Sequence, residues 1–399
     1  MSTEIAVPPT LTERSAVENL SRARQEPAWL LELRLRAFDA FSAMPMPDQR
    51  TEGWRRTSLR GLDLNALRFD SEPGRATASS APSGVTVLDF SDALRDARYE
   101  QLLREHFGRI VPPEYDKFTA LHYAFFNAGT IVHVGRNALV QEPLWLTRRF
   151  GSAALAHSLI VLDEGAQLSV IEEHRDGVSF SSGVVEQVVG QNAYLRYVQV
   201  QRLSTDVWNF SAQRARLARD ASLRTLNVAL GSRLSRNTIQ IALDGKSSQA
   251  DLLGIVQGNE RQHFDFQTLQ DHTGDATRSD LVIHDALRDR ASANFTGLIR
   301  IEKTSRQTES SQEQKNILLS DHARADSDPK LEILNNDVIR CTHGAAVGPV
   351  DEELIFYLQS RGLDRSEAEA LIVEGFFRSV LDKMNDPRVE EAVWSVLNP

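Results

Sequence analysis

Between Gly129 and Asp337 the chain is a series of short runs in which apolar and polar residues alternate. They include TIVHV, HSLIVL, AQLSVIEEH, AYLRYVQVQRL, NTIQIAL, HFDFQTL, SDLVIHDAL and ANFTGLIRI, most bounded by Gly, Asp, Asn or Ser. Alternation is the signature of a strand, because successive side chains point to opposite faces. No stretch between the runs is long enough for a helical crossover. The spacing is broadly regular, which leaves a sandwich, a barrel or a solenoid. A body of over 200 residues without helices is long for one sandwich, and a parallel β-helix gains on that ground. The pattern alone does not fix strand direction.

The flanks read differently. Residues 1–10 read as disordered, with Pro8-Pro9 as a stop, and Thr12 to Ala43 as one helix, ended by Pro45 and Pro47. Trp54 and Arg55 follow, read as a packed indole beside solvated arginines. Residues 71–85, rich in Ser, Pro and Gly, read as a flexible linker. Ser91 to Phe107 reads as a second helix with Ser91 and Asp92 as cap candidates, and Asp116 to Asn127 as a short apolar helix. His122 lies inside it and reads as a core histidine. The expected division is a helical region over 1–127, a β-body over 128–348 and a helical tail over 349–399.

The stretch from Asp328 to Leu363 joins body to tail. A β-type run, Lys330 to Ile339, leads to the sole cysteine, Cys341, with His343 two residues on. Gly344 and Gly348-Pro349 then break the strand pattern. In an extended segment Cys341 and His343 face one way and form half of a metal site, with no second cysteine to complete it. The last coil of a solenoid leaves an unpaired edge, so this pair is expected at a surface covered by the tail or a partner. Asp351 opens an amphipathic helix that stops at Gly362. Asp364, together with a Ser366-x-x-Glu369 box, starts a second helix, and Asp386-Pro387 a third. The apolar and aromatic face of this tail, with Leu354, Tyr357, Leu358, Arg361, Phe376 and Phe377, is the candidate partner surface. Phe376 and Phe377 packing on the β-body is the alternative.

Composition excludes several classes. A net charge of −10 argues against non-specific nucleic-acid binding. One cysteine rules out a disulfide within the chain and fits a reducing compartment. No basic-then-apolar leader opens the sequence and no apolar run approaches the length of a membrane span, so a cytoplasmic protein is expected. LDGKSS, Leu243 to Ser248, resembles half a phosphate-binding loop, but position 240 is Gln and the following ADLLGIVQG is β-like. A turn with Gly245 at positive φ explains it. His263, His272 and His284 share the later β-body with Asp265, Asp271 and Asp285. Grouped on one face, such residues would suit a polysaccharide lyase or hydrolase. Stacked aromatics for a sugar groove are sparse.

The wording NNDVxxCTHGAAVGPVDEELIFYLQSRGL resembles the C-terminal signature of the SufB/SufD family of iron–sulfur cluster assembly proteins. The likeness is most specific from Leu331 to Gly362 and extends by pattern over residues 116–375. The chain is nearer to SufD-type members: SufB chains tend to be longer, richer in cysteine and to carry Glu where Gly344 stands. SufD-like chains also often have a Trp-Arg segment similar to Trp54-Arg55. The resemblance implies a right-handed parallel β-helix and a non-catalytic scaffold subunit of a SufB–SufC–SufD complex. It implies that His343, matching the histidine of C-x-H-G, contributes to a transient cluster at the interface with a SufB-like paralogue. Cys341 matches a common cysteine of the motif, and its role as ligand or structural residue stays open. Clusters need several thiolates, so a chain with one cysteine shares its ligands with another chain. The tail would dock a SufC-like ABC-type ATPase. A reduced flavin is linked to the family's complex, with no residue here assignable to it. The competing readings are a β-helix carbohydrate-active enzyme and a structural homodimeric solenoid.

Overall fold

The computed structural model describes residues 13–67, 76–78, 81–149, 153–176 and 179–397. Two helices open it, α1 (Arg14–Ala23) and α2 (Ala28–Ala43), followed by short strands β1 (Ala76–Ala78) and β2 (Val85–Asp89). Helices α3 (Phe90–Ala93), α4 (Ala97–His106) and α5 (Lys117–Phe125) lead into the body. The body begins with β3 (Ala128–Val134), β4 (Leu144–Arg149), β5 (Ala154–Leu162), β6 (Gln167–Asp176), β7 (Phe180–Val189) and β8 (Tyr194–Leu203). It continues with β9 (Trp208–Leu217), β10 (Ser222–Ala229), β11 (Leu234–Leu243), β12 (Gln249–Gly258) and β13 (His263–His272). It ends with β14 (Arg278–Leu287), β15 (Ser292–Ile301), β16 (Thr308–Leu318), β17 (Arg324–Ile333) and β18 (Val338–Pro349). The tail is α6 (Glu352–Ser360), α7 (Arg365–Leu381) and α8 (Pro387–Leu397).

Even-numbered strands from β4 to β18 pair in sequence in one sheet, and odd-numbered strands from β3 to β17 in the other. Every one of these pairings is parallel. The body is therefore a parallel β-solenoid of eight two-stranded coils. Tyr194, Ser222, Gln249 and Arg278 stack in register at steps of 27 to 29 residues, one coil each. The same corner recurs on each coil. Asn137, Gly165, Asn192, Asp220, Ser247, Ala276 and Gln307 all have positive φ. Each of their amides donates to the carbonyl of a residue one coil on, as Asn192 does to Arg219 and Ser247 to Asp275. The left-handed conformation turns the chain sharply, and the ladder pairs corner amides that lie outside the strand pairings.

The space between the sheets is filled by stacked Val, Leu, Ile, Ala and Phe, including Val132, Ile160, Leu195, Ile241, Phe264 and Leu281. The N-terminal helices bury a second core against the outer face of the odd-numbered sheet, where Trp54 meets Phe118 and Phe210. The tail buries a third core against the even-numbered sheet, through Phe377, Val380, Leu381 and Val393. No helix among the described residues is long and apolar enough to cross a membrane.

Several local expectations need correction. The helix expected over Thr12–Ala43 is two helices. Gln25 has a positive φ and Pro27 caps α2, because the residue before a proline disfavours the helical region. Fully buried Arg34 then binds Glu26 bidentately at 2.7 Å and the carbonyl of Ala124 at 3.1 Å, fastening α2 to α5. The helix expected over Ser91–Phe107 is also two. Ser91 and Asp92 lie inside α3, and Asp96 caps α4 by accepting from the amides of Arg98 and Tyr99. Within 71–85, residues 76–78 form β1 and Val85 begins β2, while residues 71–75, 79 and 80 lie outside the described residues, as do residues 1–12. At Leu243–Ser248 the turn is present, but the positive φ is at Ser247, not Gly245. Gly245 is needed for closeness: a Cβ there would lie 2.1 Å from the backbone of Ala218 on the preceding coil. The capping box at the second tail helix is formed by Asp364 and Glu367 rather than Ser366 and Glu369.

Strands β4, β9 and β16 fall outside the alternating runs. In β9 and β16 polar side chains face the interior. Asn209 and Ser211 of β9 bond Ser235 and Asn237 one coil on, and Gln213 bonds Thr225 of the opposite sheet. Interior hydrogen bonds thus replace apolar stacking in these layers.

Candidate functional site

The run Lys330–Ile339 is not one strand. It divides between β17 and β18, which belong to opposite sheets and form the last coil. Gly344 and Gly348-Pro349 do not break the strand either, for β18 extends through all of them. Nothing lies within 4 Å of a Cβ placed on either glycine. An edge strand accommodates Gly and Pro because nothing packs beyond it and half its backbone groups need no partner strand. Cys341 and His343 therefore lie within the terminal strand, not past its end.

Registry fixes where they point. Across the β16–β18 pair, Cys341 lies opposite Ser310, His343 opposite Gln312, Ala345 opposite Gln314 and Val347 opposite Asn316. Those four β16 side chains are buried inside the solenoid. Side chains alternate, so Cys341, His343, Ala345 and Val347 all carry the interior phase, one layer above the last enclosed one. On the other sheet, Leu331 and Ile333 lie opposite buried Ile299 and Ile301 and share that phase. Leu331 is 38% exposed, Ile333 42% and Val347 45%, whereas their counterparts one coil below are covered. The result is an open end with an apolar rim, a half-buried free thiol and an exposed imidazole on its inner phase. Burial pushes the Cys341 thiol up from its ordinary pKa.

Beneath this end the interior is polar. Gln314 donates to Asp285 at 2.7 Å and to Asn316 at 2.8 Å, and accepts from Asn316 and Ser327. Asp285 has one carboxylate oxygen without a partner, and burial raises its pKa to about 7 against the Gln314 hydrogen bond. His272, bonded to Thr277 and Ser279, is pushed down to about 4 by burial. Sequence alternation does not reveal this layer, because TESSQEQKNIL has no apolar phase until its end.

On the tail, Leu354 (41% exposed) and Tyr357 (52%) stand out from α6, with Arg361 over the Tyr357 ring at 5.3 Å. Leu358 is half-buried in the small core between α6 and α7. Phe377 is buried against the even-numbered sheet, and Phe376 stacks on His284 with ring centroids 4.1 Å apart. These two take the packing role, and Phe377 is not surface. Phe356, 73% exposed, is the largest outward apolar group there. The signal for it was its place off the stripe that Ile355 and Leu358 define.

The remaining histidines do not form one site. His122 bonds Ser182 and His157, and His157 bonds Glu186, all buried beneath the N-terminal helices. His263 and Asp265 face outward from the odd-numbered sheet toward Thr57. Asp271 pairs with Arg300, His272 and Asp285 lie inside the solenoid, and His284 lies under α7, bonded to the Phe376 carbonyl. The six residues considered for sugar chemistry are thus spread over the interior and two outer faces. Among the described residues, no three His, Cys, Asp or Glu gather closely enough to hold a metal ion.

A parallel β-solenoid with helices at both termini and a cysteine–histidine pair on its last coil defines the class of protein. Residues 146–376 match the SufBD core domain of the SUF system of FeS cluster assembly. The chain is 32% identical over 375 residues to an iron–sulfur cluster assembly SufBD family protein of Mycobacterium bovis, covering 90% of each. It is 27% identical over 420 residues to the iron–sulfur cluster assembly protein SufB of Bacillus subtilis, covering 91% of this chain and 87% of that one. It is also 27% identical over 427 residues to SufD of the same organism, covering 96% and 97%. The chain belongs to the SufBD family of iron–sulfur cluster assembly proteins.

Proposed function

We propose that this chain is a SufD-like, non-catalytic scaffold subunit that builds a transient iron–sulfur cluster jointly with a cysteine-rich SufB-like paralogue. The cluster is cargo, and this chain offers His343 to it from the open end of the solenoid. The observation that carries the reading is the coincidence of three features on one coil: unpaired strand edges, exposed inward-phase Leu331, Ile333 and Val347, and His343 among them. An edge of this kind is a template for strand pairing with another chain. A neutral imidazole ligates iron, and partner thiolates would complete the set. Cys341, half-buried and with its thiol pushed up, is assigned mainly a structural role. One cysteine in the whole chain and near-complete mutual coverage with a SufD protein support the SufD side of the family.

The tail is assigned to an ABC-type ATPase of the SufC kind. Leu354, Phe356 and Tyr357 form a small exposed apolar face flanked by Arg361, the residue types that anchor interfaces. No residue is assigned to a reduced flavin. Coexpression followed by affinity purification tests the reading. An ATPase and a cysteine-rich paralogue should copurify with the tagged chain. A chain that purifies alone or only as a homodimer with both present contradicts it.

A further inference from the structure

We propose that Gln312, whose amide makes no hydrogen bond in this structure, is a positioning residue for His343: its carbonyl turns to accept the N–H of one ring nitrogen, so that the other nitrogen faces out of the open end. The proposal rests on the reading of His343 as a cluster ligand.

The two residues are register partners on adjacent parallel strands and share the interior phase, which sets their backbones about 4.8 Å apart. Gln312 is 2% exposed, and neither its amide oxygen nor its amide nitrogen has a hydrogen-bond partner. Such a group is costly to leave unmade inside a protein. Its neighbours on the same inner face are already engaged. Ser310 bonds Ser279 and Gln270, and Gln314 bonds Asp285 and Asn316. Along the inner face of β16 the unused hydrogen-bonding capacity is therefore at Gln312, directly beneath His343.

Gly297, on the facing strand β15, makes room for this amide. A Cβ at Gly297 would lie 2.7 Å from the Gln312 amide oxygen and 2.4 Å from the Phe295 ring. Any larger residue would push the amide out of the layer. The floor of the open end is thus a glutamine amide seated over a glycine. A metal-bound histidine needs its second ring nitrogen held, because that bond fixes the tautomer and the direction of the ligating lone pair. Gln312 is the neighbouring group with the capacity to hold it.

The test uses the full chain labelled with 15N-histidine, at mildly alkaline pH, where free imidazole is neutral. The His343 signals are assigned by their loss in His343→Ala. Wild type should favour one tautomer about fivefold more strongly than Gln312→Leu, the ratio that a net hydrogen bond of about 1 kcal/mol produces. Gln312→Glu, which keeps an acceptor oxygen, should retain the wild-type tautomer. A merely structural role for Gln312 would alter melting and leave the tautomer alone. Equal tautomer ratios in wild type and Gln312→Leu overturn the proposal, even if His343→Ala still loses cluster. Failure of the ligand reading shows differently, as unchanged cluster content in His343→Ala.

Discussion

At the N-terminal end of the solenoid, β2 lies antiparallel on β3 and β1 antiparallel on β4, so the first coil's edges are occupied. Helices cover its flank, and buried Glu186 accepts from the amides of Gly108, Ile110 and Val111 and from His157. Inside these coils Glu172 binds Arg148, Ser158, Tyr197 and His174, and Arg148 and His174 outweigh burial and hold its carboxyl below the usual range. At the C-terminal end, β17 and β18 end their sheets with apolar side chains exposed and Gln312 unpaired below. One chain thus shows both solutions to the edge problem of a sheet, closure and exposure. The difference teaches that the open end is kept open by the sequence, since the same solenoid closes its other end.

Breaking the closed end should have the largest effect on folding. Glu186→Leu leaves three buried amides without an acceptor and should lower stability by about 3–5 kcal/mol in chemical unfolding. Pairing with other subunits should survive at temperatures where the variant stays folded. A stability within ~0.5 kcal/mol of wild type would remove the claim that this carboxylate fastens the helices.

Asp285 sharpens the contrast through pH. Its folded pKa of about 7 lies above the ordinary carboxylate value, so between about pH 4 and 7 the folded chain holds a proton that the unfolded chain has released. Its contribution to stability falls as pH rises through that window. His272, pushed down to about 4, has the opposite sign, losing stability as pH falls from about 6.5 to 4. Asp285→Asn should therefore match wild type near pH 4 and exceed it by about 4 kcal/mol above pH 7. A difference that does not grow with pH would show that Asp285 is not buried as the last coils require.

Charging the open end should act on association. Leu331→Lys with Ile333→Lys should leave monomer stability within ~0.5 kcal/mol. Affinity for the paralogue, or for a second copy, should drop by about 2 kcal/mol, roughly 30-fold, in a titration. Loss of folding without loss of affinity would reverse the roles assigned to the two ends.

Much of this was legible in the sequence. The alternating runs mark the strands, and length together with the Leu331–Gly362 wording points to the solenoid and to Cys341 and His343. The corner ladder was not, because Asn137, Gly165, Ser247, Ala276 and Gln307 share a backbone conformation and no chemistry. The path of the last coil was misread for a related reason. Gly344 and Pro349 usually end strands, but at an unpaired edge their liabilities vanish. The polar floor under His343 was hidden because β16 satisfies its interior with glutamine, serine and asparagine, which a hydrophobic pattern counts as surface. The fate of Phe377 depended on which sheet face α7 covers, a tertiary fact that helix periodicity does not carry.

The central claim is that His343 serves the cluster from the open end without holding up the fold. Its direct test is iron and sulfide content, with the absorbance of the assembled cluster, in reconstituted complexes carrying wild type, His343→Ala or Cys341→Ser. His343→Ala should fold and assemble as wild type does, since exposed substitutions usually change stability by no more than ~0.5 kcal/mol, and half-buried Cys341→Ser should lose some stability yet still assemble. His343→Ala should lose most of its cluster and Cys341→Ser much less. Equal cluster content in wild type and His343→Ala would contradict the account and return His343 to the solvated rim.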